Sequence, residues 1–162
     1  TGLRVTALRL PLTYGRGAKG NVAALVRALR AGVPLPLAGI ANRRSVLGVG
    51  NCSAAIAALL VSDDPVGHGR MIPYLLADAE PVSTPDLVRA MARALAVAPR
   101  LFSVSPGLLR FAGACAARAP TVERLVGSLE VDTTAFRTRF GWTPPLSLAA
   151  GMAAAFGMGA PL

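Results

Sequence analysis

Charged residues, and acidic ones above all, are scarce in this chain. Only 15% of its 162 residues are charged, and 8 carboxylates stand against 17 lysines and arginines, which gives a formal net charge of +9. Most of the carboxylates stand at expected turns or helix starts, so no pair of them indicates a glycosidase-like site. The positive charge favours anionic partners of any kind, from nucleic acids to nucleotides, or an acidic segment of a longer protein.

Histidine and cysteine are also rare. The chain has one histidine, His68, and two cysteines, Cys52 and Cys115, with no CxxC motif. A histidine-based metal site is therefore not expected, and a Ser-His-Asp triad would depend on a histidine in a glycine-rich turn, which orients a base poorly. Both cysteines lie in alanine-rich stretches, so we expect them to be buried free thiols.

Aromatic residues and long apolar runs are lacking as well. Aromatics make up 5% of the chain, too few to favour a module that stacks on nucleic-acid bases. The two longest uncharged stretches, residues 45–62 and 140–162, are interrupted by glycine, and we expect no membrane span. No signal peptide is visible at the N-terminus, and a cytoplasmic location is expected.

The sequence does contain an alternation of strand and helix patterns. Hydrophobic residues make up 53% of the chain, so a packed core is expected. Apolar and β-branched runs predict strands near residues 3–10, 44–49, 70–77 and 101–105. Periodicity and start signals predict helices near residues 21–31, 51–61, 83–96, 106–119, 120–128, 132–140 and 147–156. The alternation indicates an α/β or α+β fold.

Polar residues at the expected helix starts predict the helix caps. We expect side-chain caps from Asn21, Asn51, Thr84, Asp132 and Ser147. Two of the helices also carry an apolar stripe that we expect to be buried. The stripes are Val22, Leu25, Val26 and Leu29 in the first helix, and Leu87, Val88, Met91 and Leu95 in the helix after Thr84.

The glycine-rich loop "GRGAKG" places Gly15, Gly17 and Gly20 in the spacing of a dinucleotide-binding turn. Arg16 and Lys19 fill this loop, however, and no acidic residue stands near position 40 to hold a ribose. A dinucleotide turn is therefore not favoured here, and a P-loop pattern is absent. From its residues alone the sequence indicates no catalytic group.

Two adjacent cations, Arg43 and Arg44, stand directly before the short apolar strand "SVLGV". A nucleic-acid-binding protein spreads its arginines over a face, whereas a single phosphate site places one or two at a strand edge. The pair alone does not decide between these two kinds of site.

Four segments in order resemble a known family: "LRVTALRLPLTYGRGAKGN", "PLPLAGIANRRSVLGVGNCSAAIAALL", "VSTPDLVRAMARALA" and "GSLEVDTTAFRTRFGWTPPLSLAAGM". Together they look like the C-terminal half of an extended short-chain dehydrogenase/reductase. They most resemble the NAD-dependent nucleotide-sugar epimerases and dehydratases of UDP-hexose and UDP-N-acetylhexosamine 4-epimerase type. The resemblance implies the C-terminal part of an NAD(P)-binding Rossmann-like α/β fold, with a mixed α/β substrate-binding subdomain.

The resemblance also implies groups that this sequence lacks. Such enzymes carry an N-terminal Rossmann half, whose glycine-rich turn binds NAD, and a Tyr-xxx-Lys pair for acid–base chemistry. Tyr14 and Tyr74 are the only tyrosines, and neither is followed by lysine four residues later. We therefore expect residues 1–162 to be the substrate-binding portion, inactive alone and with weak affinity for NAD. The expected partners are a UDP-sugar, the N-terminal half and, in a full enzyme, a second copy.

The resemblance implies positions for substrate contacts. Arg44 matches the arginine that binds the diphosphate of the nucleotide sugar, while Arg43 is expected to face solvent or an acidic neighbour. Arg124 is the candidate for a second diphosphate arginine. Asn21 and Val22 match a helix start that contacts phosphate and sugar.

Two apolar segments complete the site that the resemblance implies. Leu35, Pro36 and Leu37 match the extended piece that lies along the uracil, and a plain packing role is the alternative. Pro11 and Leu12 match the segment beside the nicotinamide.

Two other functions stay open. A 4,6-dehydratase or a 4-keto reductase uses the same scaffold, and only the N-terminal half would separate these from a 4-epimerase of surface-polysaccharide synthesis. A stand-alone basic module that binds nucleic acid is the other alternative. Its arginines would be expected to cover one face, whereas those of this chain are scattered over helix faces and strand ends.

Overall fold

The computed structural model describes residues 5–62 and 73–157. Its elements, in chain order, are β1 Leu8–Arg9, β2 Leu12–Tyr14, α1 Gly20–Arg30, β3 Val46–Gly48, α2 Val49–Val61, β4 Tyr74–Leu75, α3 Thr84–Ala94, α4 Pro106–Cys115, α5 Ala119–Val126, α6 Thr134–Phe140 and α7 Leu148–Phe156. His68 and its turn lie outside the described residues, as do the ends of two predicted strands, residues 3–4 and 70–72.

Two short pairs of parallel strands organise the fold. β1 pairs with β4, with Leu8 opposite Tyr74. β2 pairs with β3, with Leu12 opposite Val46. Parallel neighbours need a crossover connection, and α1 lies within the one that joins β2 to β3. Helices that alternate with parallel strands confirm the predicted α/β class.

The apolar stripes of α1 and α3 form the centre of the main core. All four stripe residues of α1 are buried, as predicted. In α3, Leu87, Val88 and Met91 are buried, whereas Leu95 stands just past the helix end and is half-buried. α3 packs against both α1 and α7, so each stripe faces another helix.

A second, smaller core is aromatic and lies against α6. Phe136 stands edge-on to Tyr74 and to Trp142, with ring centroids 5.7 and 5.6 Å apart. Phe140 packs on Phe136 at 4.6 Å. Gly141 ends α6 in the left-handed conformation, with φ at 58°, and this turn lets Trp142 fold back into the cluster.

Three of the predicted caps are wrong. α1 begins at Gly20 and follows Lys19, which makes no side-chain cap, so Asn21 lies inside the first turn. α2 begins at Val49, which places Asn51 within the helix. α3 is capped by Ser83, whose hydroxyl accepts a hydrogen bond from the backbone N–H of Asp86, and not by Thr84.

The side chains of the other two predicted caps do accept hydrogen bonds from backbone N–H groups in the first turns of their helices. Ser147 accepts a hydrogen bond from the N–H of Ala150 at 3.3 Å and caps α7. The carboxylate of Asp132 accepts a hydrogen bond from the N–H of Thr134, the first residue of α6, at 2.8 Å.

The strands are shorter than predicted. Of residues 5–10, the described part of the run 3–10, only Leu8–Arg9 forms a strand, and Pro11 separates it from β2, because proline has no N–H to donate to a ladder. Of residues 44–49 only Val46–Gly48 is strand. Of residues 101–105 only Leu101 takes part in a bridge, with Leu35.

The two cysteines are free, but neither is fully buried as predicted. Cys52 is half-buried in α2, whereas Cys115 is exposed at the end of α4. α4 packs mainly on α5 and fully buries only Gly113, while Leu109 is half-buried against the main core and most other residues of the helix are exposed.

A buried polar network joins β2, β3, α2 and the segment after β4. Asp78 accepts hydrogen bonds from Tyr14 Oη at 2.7 Å, from Asn51 Nδ2 at 2.7 Å and from Gly48 N at 3.1 Å. Asn51 also exchanges two hydrogen bonds, both 2.9 Å long, with the backbone of Leu146. These partners explain why Asn51 lies inside α2, since a capping position would leave Asp78 and Leu146 unsatisfied.

We expect this network to make the protein less stable at alkaline pH. Burial first, and then the hydrogen bond and charge of Asp78, raise the pKa of Tyr14 well above its ordinary value. A tyrosine of the unfolded chain ionises near about pH 10, so above that pH the unfolded state loses a proton that the folded state keeps. The free energy of unfolding should therefore be unaffected by Tyr14 below about pH 10 and fall above it by about 1.4 kcal/mol per pH unit.

Urea unfolding of the wild-type chain and of Tyr14→Phe, measured from neutral to strongly alkaline pH, tests this expectation. The variant lacks the phenol and should show a shallower alkaline decline. Parallel declines in the two proteins would contradict it.

The outward face of α2 is apolar. Val49 is 48% exposed, Ile56 42% and Leu60 77%, and their spacing of seven and four residues places them on one side of the helix. Of the whole helix only Asn51 and Ala55 are buried. An exposed apolar face of this kind, interrupted only by Ser53, is typical of a surface that another protein segment covers.

Candidate functional site

Arg44 is held where three segments meet. Its backbone exchanges hydrogen bonds of 2.9 and 2.8 Å with Val82, and it also forms a bridge with Leu129. Its Nη1 donates to the carbonyl oxygens of Arg124 and Gly127 at the C-terminal end of α5. Cationic groups are favoured there, because the last carbonyl groups of a helix carry partial negative charge.

The rest of the Arg44 guanidinium is less well satisfied. Its Nε is buried and has no hydrogen-bond partner among the described residues. Burial lowers the pKa of Arg44, although an arginine stays charged at neutral pH. An additional acceptor beside this group would therefore be stabilised.

Asn42 and Thr84 fix the end of α5 against which Arg44 rests. The buried Asn42 Nδ2 donates to the carbonyl oxygens of Leu125 at 3.0 Å and Gly127 at 2.9 Å, and its Oδ1 accepts from the N–H of Thr84 at 2.8 Å. The hydroxyl of Thr84 donates to the same Leu125 oxygen at 2.7 Å. This bond explains why Thr84 does not cap α3, and it makes the position of the α5 terminus rigid.

A cavity of about 410 Å³ opens at this point. It is lined by Arg44, Pro120, Glu123, Arg124, Gly127, Ser128 and Leu129. The one carboxylate in the lining, that of Glu123, is bound by Arg110 at 2.9 Å, which lowers the pKa of Glu123. The charges of Arg44 and Arg124 are therefore left to attract an anion.

Arg43 turns away from the cavity. Its guanidinium lies 2.9 Å from Glu130 in an exposed ion pair, as expected for a residue that faces an acidic neighbour. Adjacent residues of an extended segment point to opposite sides, so the local backbone is enough to direct the side chain of Arg43 away from that of Arg44.

The apolar segment Leu35, Pro36 and Leu37 lines a different cavity, of about 190 Å³. Leu125 and Val126 of α5 line it as well, so the last turn of α5 lies between this cavity and the one at Arg44. Leu37 is buried in the main core, which fits a packing role. A contact of this segment with uracil stays a prediction.

The remaining predicted positions lie elsewhere in the fold. Asn21 is half-buried in the first turn of α1, and Val22 is buried against the main core. Leu12 is half-buried in β2, and the carbonyl of Pro11 accepts a hydrogen bond of 3.2 Å from the hydroxyl of Thr13. None of these four residues lines the cavity at Arg44.

The glycine-rich loop after β2 has a structural explanation of its own. The loop "GRGAKG" does join β2 to α1, as a dinucleotide turn would, but packing and backbone geometry explain its glycines. A Cβ at Gly15 would lie 2.4 Å from the side chain of Val49, and Gly17 and Gly20 have φ values of 70° and 63°. No dinucleotide is needed to explain these glycines, and no acidic residue of the described ranges lines this loop's groove.

Asn42, Thr84 and the Arg110–Glu123 pair were not predicted from the sequence as parts of this site. Asn42 offers the only local signal, because it directly precedes the arginine pair. Among the described residues no group of three or more histidine, cysteine, aspartate or glutamate side chains could hold a metal ion. None of the helices in the described ranges has the length and apolarity needed to cross a membrane.

Known proteins resemble this chain in sequence. No family model matches it. It is 31% identical over 152 residues to a UDP-glucose 4-epimerase of Vibrio cholerae, a match that covers 93% of this chain and 45% of the relative. The chain thus spans less than half the length of that relative.

Solved structures resemble it in fold. A human epimerase family protein solved with NADPH has a TM-score of 0.69 at 12% identity, over 93% of this chain and 48% of its own. A UDP-glucuronic acid 4-epimerase of Bacillus cereus, solved with UDP-glucuronic acid and NAD, has a TM-score of 0.65 at 16% identity, over 92% and 43%. At such identities these likenesses show the fold.

The likenesses agree with the order of segments in the sequence, the parallel strand pairs and the mixed α/β architecture. The sequence match extends over nearly the whole chain but less than half of the relative. The chain is therefore related, in sequence and in fold, to the C-terminal half of the NAD-dependent nucleotide-sugar epimerases and dehydratases within the extended short-chain dehydrogenase/reductase family.

Proposed function

We propose that this chain is the UDP-sugar-binding half of an NAD-dependent nucleotide-sugar 4-epimerase of surface-polysaccharide synthesis. The substrate would be of the UDP-glucose or UDP-N-acetylglucosamine type. In this proposal residues 1–162 form the substrate-binding portion, while the NAD-binding turn and the Tyr-xxx-Lys pair belong to an N-terminal Rossmann half. The observation that carries it is the meeting of Arg44 and Arg124 at one cavity, 80 residues apart in the chain.

The chemistry of this cavity suits a diphosphate. Two guanidinium groups can bind the oxygens of adjacent phosphates through charge-assisted hydrogen bonds. The nearby carboxylate of Glu123 is already bound to Arg110 and competes little. The neighbouring apolar cavity at Leu35, on the other side of the α5 terminus, is a reasonable place for a flat base.

The named relatives support the substrate class. One is called a UDP-glucose 4-epimerase, and another was solved with UDP-glucuronic acid and NAD. A dTDP-glucose 4,6-dehydratase of Bacillus anthracis shares the fold at a TM-score of 0.60, so the fold does not separate epimerase from dehydratase. That choice depends on residues beside the catalytic tyrosine.

The proposal also gives the apolar face of α2 a role. Val49, Ile56 and Leu60 would pack against the N-terminal half, where Pro11 and Leu12 would also lie beside the nicotinamide of NAD. A cytoplasmic location and a dimer of the complete enzyme belong to the same proposal. Without the N-terminal half we expect the chain to bind NAD weakly and to catalyse no epimerisation, since no hydride acceptor is held.

Calorimetric titration of this chain with UDP, UMP and uridine tests the proposal. We expect UDP to bind most tightly, because only UDP offers a diphosphate to both arginines. Incubation with UDP-glucose, UDP-N-acetylglucosamine and NAD should give no epimerised product.

Three results would contradict the proposal. One is equal affinity for UDP and uridine, which would show that the arginines do not contribute to binding. Another is turnover that survives removal of host epimerase. The third is salt-dependent retention on heparin that UDP does not compete, which would favour the nucleic-acid-binding alternative.

A further inference from the structure

A groove along α1 carries a second concentration of positive charge, and we propose that it binds a small organic anion with an apolar body. The groove has a volume of about 260 Å³ and runs between α1, the loop after β2 and the end of α7. It shares no lining residue with the Arg44 cavity. The inference therefore goes beyond the proposed function and does not depend on UDP binding.

Three arginines supply the charge. Arg16 stands in the loop after β2, while Arg27 and Arg30 stand in the last turn of α1, and all three are exposed. None of them forms an ion pair with a described carboxylate, because the ion pairs of the described chain belong to Arg43, Arg89 and Arg110. No acidic residue of the described ranges lines the groove.

Favourable placement at a helix end explains only part of this arrangement. Cations in the last turn of a helix are stabilised by its carbonyl groups, which accounts for Arg27 and Arg30 on any face. It does not account for Arg16, because this residue lies in the loop before the N-terminal end of α1. Arg16 nevertheless lines the same groove.

The floor of the groove is apolar. The apolar part is formed by Val22 and Val26, and Arg30 continues the same line. The three residues recur every four positions along α1, so the line is about 12 Å long at 1.5 Å per residue. Ala23 lies beside this line, and Phe156 closes the groove from the side of α7. A body of aliphatic or aromatic carbon can cover this floor while its anionic head reaches Arg27 and Arg30.

The volume limits the ligand. About nine water molecules would occupy 260 Å³ at their volume in the liquid. That space suits a short alkyl chain or a single ring with one phosphate or carboxylate. The same head chemistry occurs in free metabolites and in anionic lipids, so the experiment must separate the two.

Octyl phosphate below its micelle concentration is a suitable probe, with inorganic phosphate and octanol as controls. We expect calorimetry to show octyl phosphate binding at least roughly tenfold more tightly than either control, because only it offers both head and body. Arg27→Gln with Arg30→Gln should weaken octyl phosphate roughly ten- to a hundredfold. The matched pair Arg100→Gln with Arg137→Gln lowers the net charge equally at exposed positions outside the groove and should change little.

Ala23→Leu gives a second test that leaves the charge unchanged. The larger side chain fills the groove and should also weaken octyl phosphate. Equal affinity for octanol, equal losses in the two arginine pairs, or full binding by Ala23→Leu would each overturn the proposal. Sedimentation with vesicles of phosphatidylglycerol or phosphatidylcholine identifies the source: binding to the first alone, lost with Arg27 and Arg30, indicates a lipid head, and no vesicle binding indicates a soluble anion.

Discussion

Arg44→Ala should weaken the binding of UDP by this chain roughly ten- to a hundredfold. Its guanidinium faces the cavity with a buried Nε that has no described partner, and an alanine would leave the diphosphate with one arginine fewer. Arg44→Lys should recover only part of the affinity, since an ammonium group lacks the planar shape with which the guanidinium binds the carbonyl oxygens at the end of α5 while it also lines the cavity. Calorimetric titration with UDP measures all of these variants.

Arg43→Ala is the matched control. It removes the neighbouring cation, but the side chain of Arg43 lies on the other face in an exposed pair with Glu130, so UDP affinity should change little. Equal effects at positions 43 and 44 would indicate a response to net charge and would contradict the assignment.

Arg124→Ala shows whether an arginine at the cavity affects UDP binding directly or through the position of the α5 terminus. Arg44 also holds the carbonyl oxygens of Arg124 and Gly127, so part of the loss in Arg44→Ala could come from a displaced α5 terminus. Arg124 lines the same cavity, is exposed and forms no described ion pair. A loss of UDP affinity in Arg124→Ala without any loss of stability would therefore place the diphosphate at this cavity. Unchanged affinity in that variant would reject the second arginine.

The parts of the fold that could be predicted from the sequence are those decided by neighbouring residues. The α1 stripe follows from a period of 3.6 residues, and the cap at Ser147 follows from a hydroxyl just before a helical run. The failures at Asn51 and Thr84 have the opposite origin. Their partners, Asp78, Leu146 and Leu125, lie 27 to 95 residues away, and such partners leave no local pattern.

The same distinction applies to the candidate site. The position of Arg44 at a strand edge was indicated by a resemblance in sequence order. That Arg124 lies at the same cavity depends on the packing of α5, which Asn42 and Thr84 fix through buried hydrogen bonds. Glu123 could not be dismissed as a competitor from the sequence either, because its partner Arg110 stands 13 residues earlier on another helix.

Asp78→Ala should lower the free energy of unfolding by about 3–5 kcal/mol, since each buried donor left without a partner costs about 1–3 kcal/mol. The substitution removes the partner of Tyr14 Oη and of Gly48 N, while Asn51 keeps its bonds to Leu146. Asp86→Ala is the control: this exposed carboxylate binds Ser83 and Arg89 at the start of α3, and its loss should cost less than about 1 kcal/mol. Urea unfolding at neutral pH compares the two, and similar losses would reject a special role for Asp78.

A double-mutant cycle with Tyr14→Phe shows whether the orphaned phenol is the cause. Phenylalanine has no hydroxyl to leave unsatisfied, so the two substitutions together should cost less than the sum of the single ones, by about 0.5–3 kcal/mol. Because Asp78 lies outside the lining of the Arg44 cavity, the molecules of Asp78→Ala that remain folded should bind UDP with unchanged affinity. We thus expect Asp78→Ala to lower stability and leave UDP affinity intact, and Arg124→Ala to lower UDP affinity and leave stability intact. That pair of results would show that the Asp78 network and the arginines at the cavity act independently.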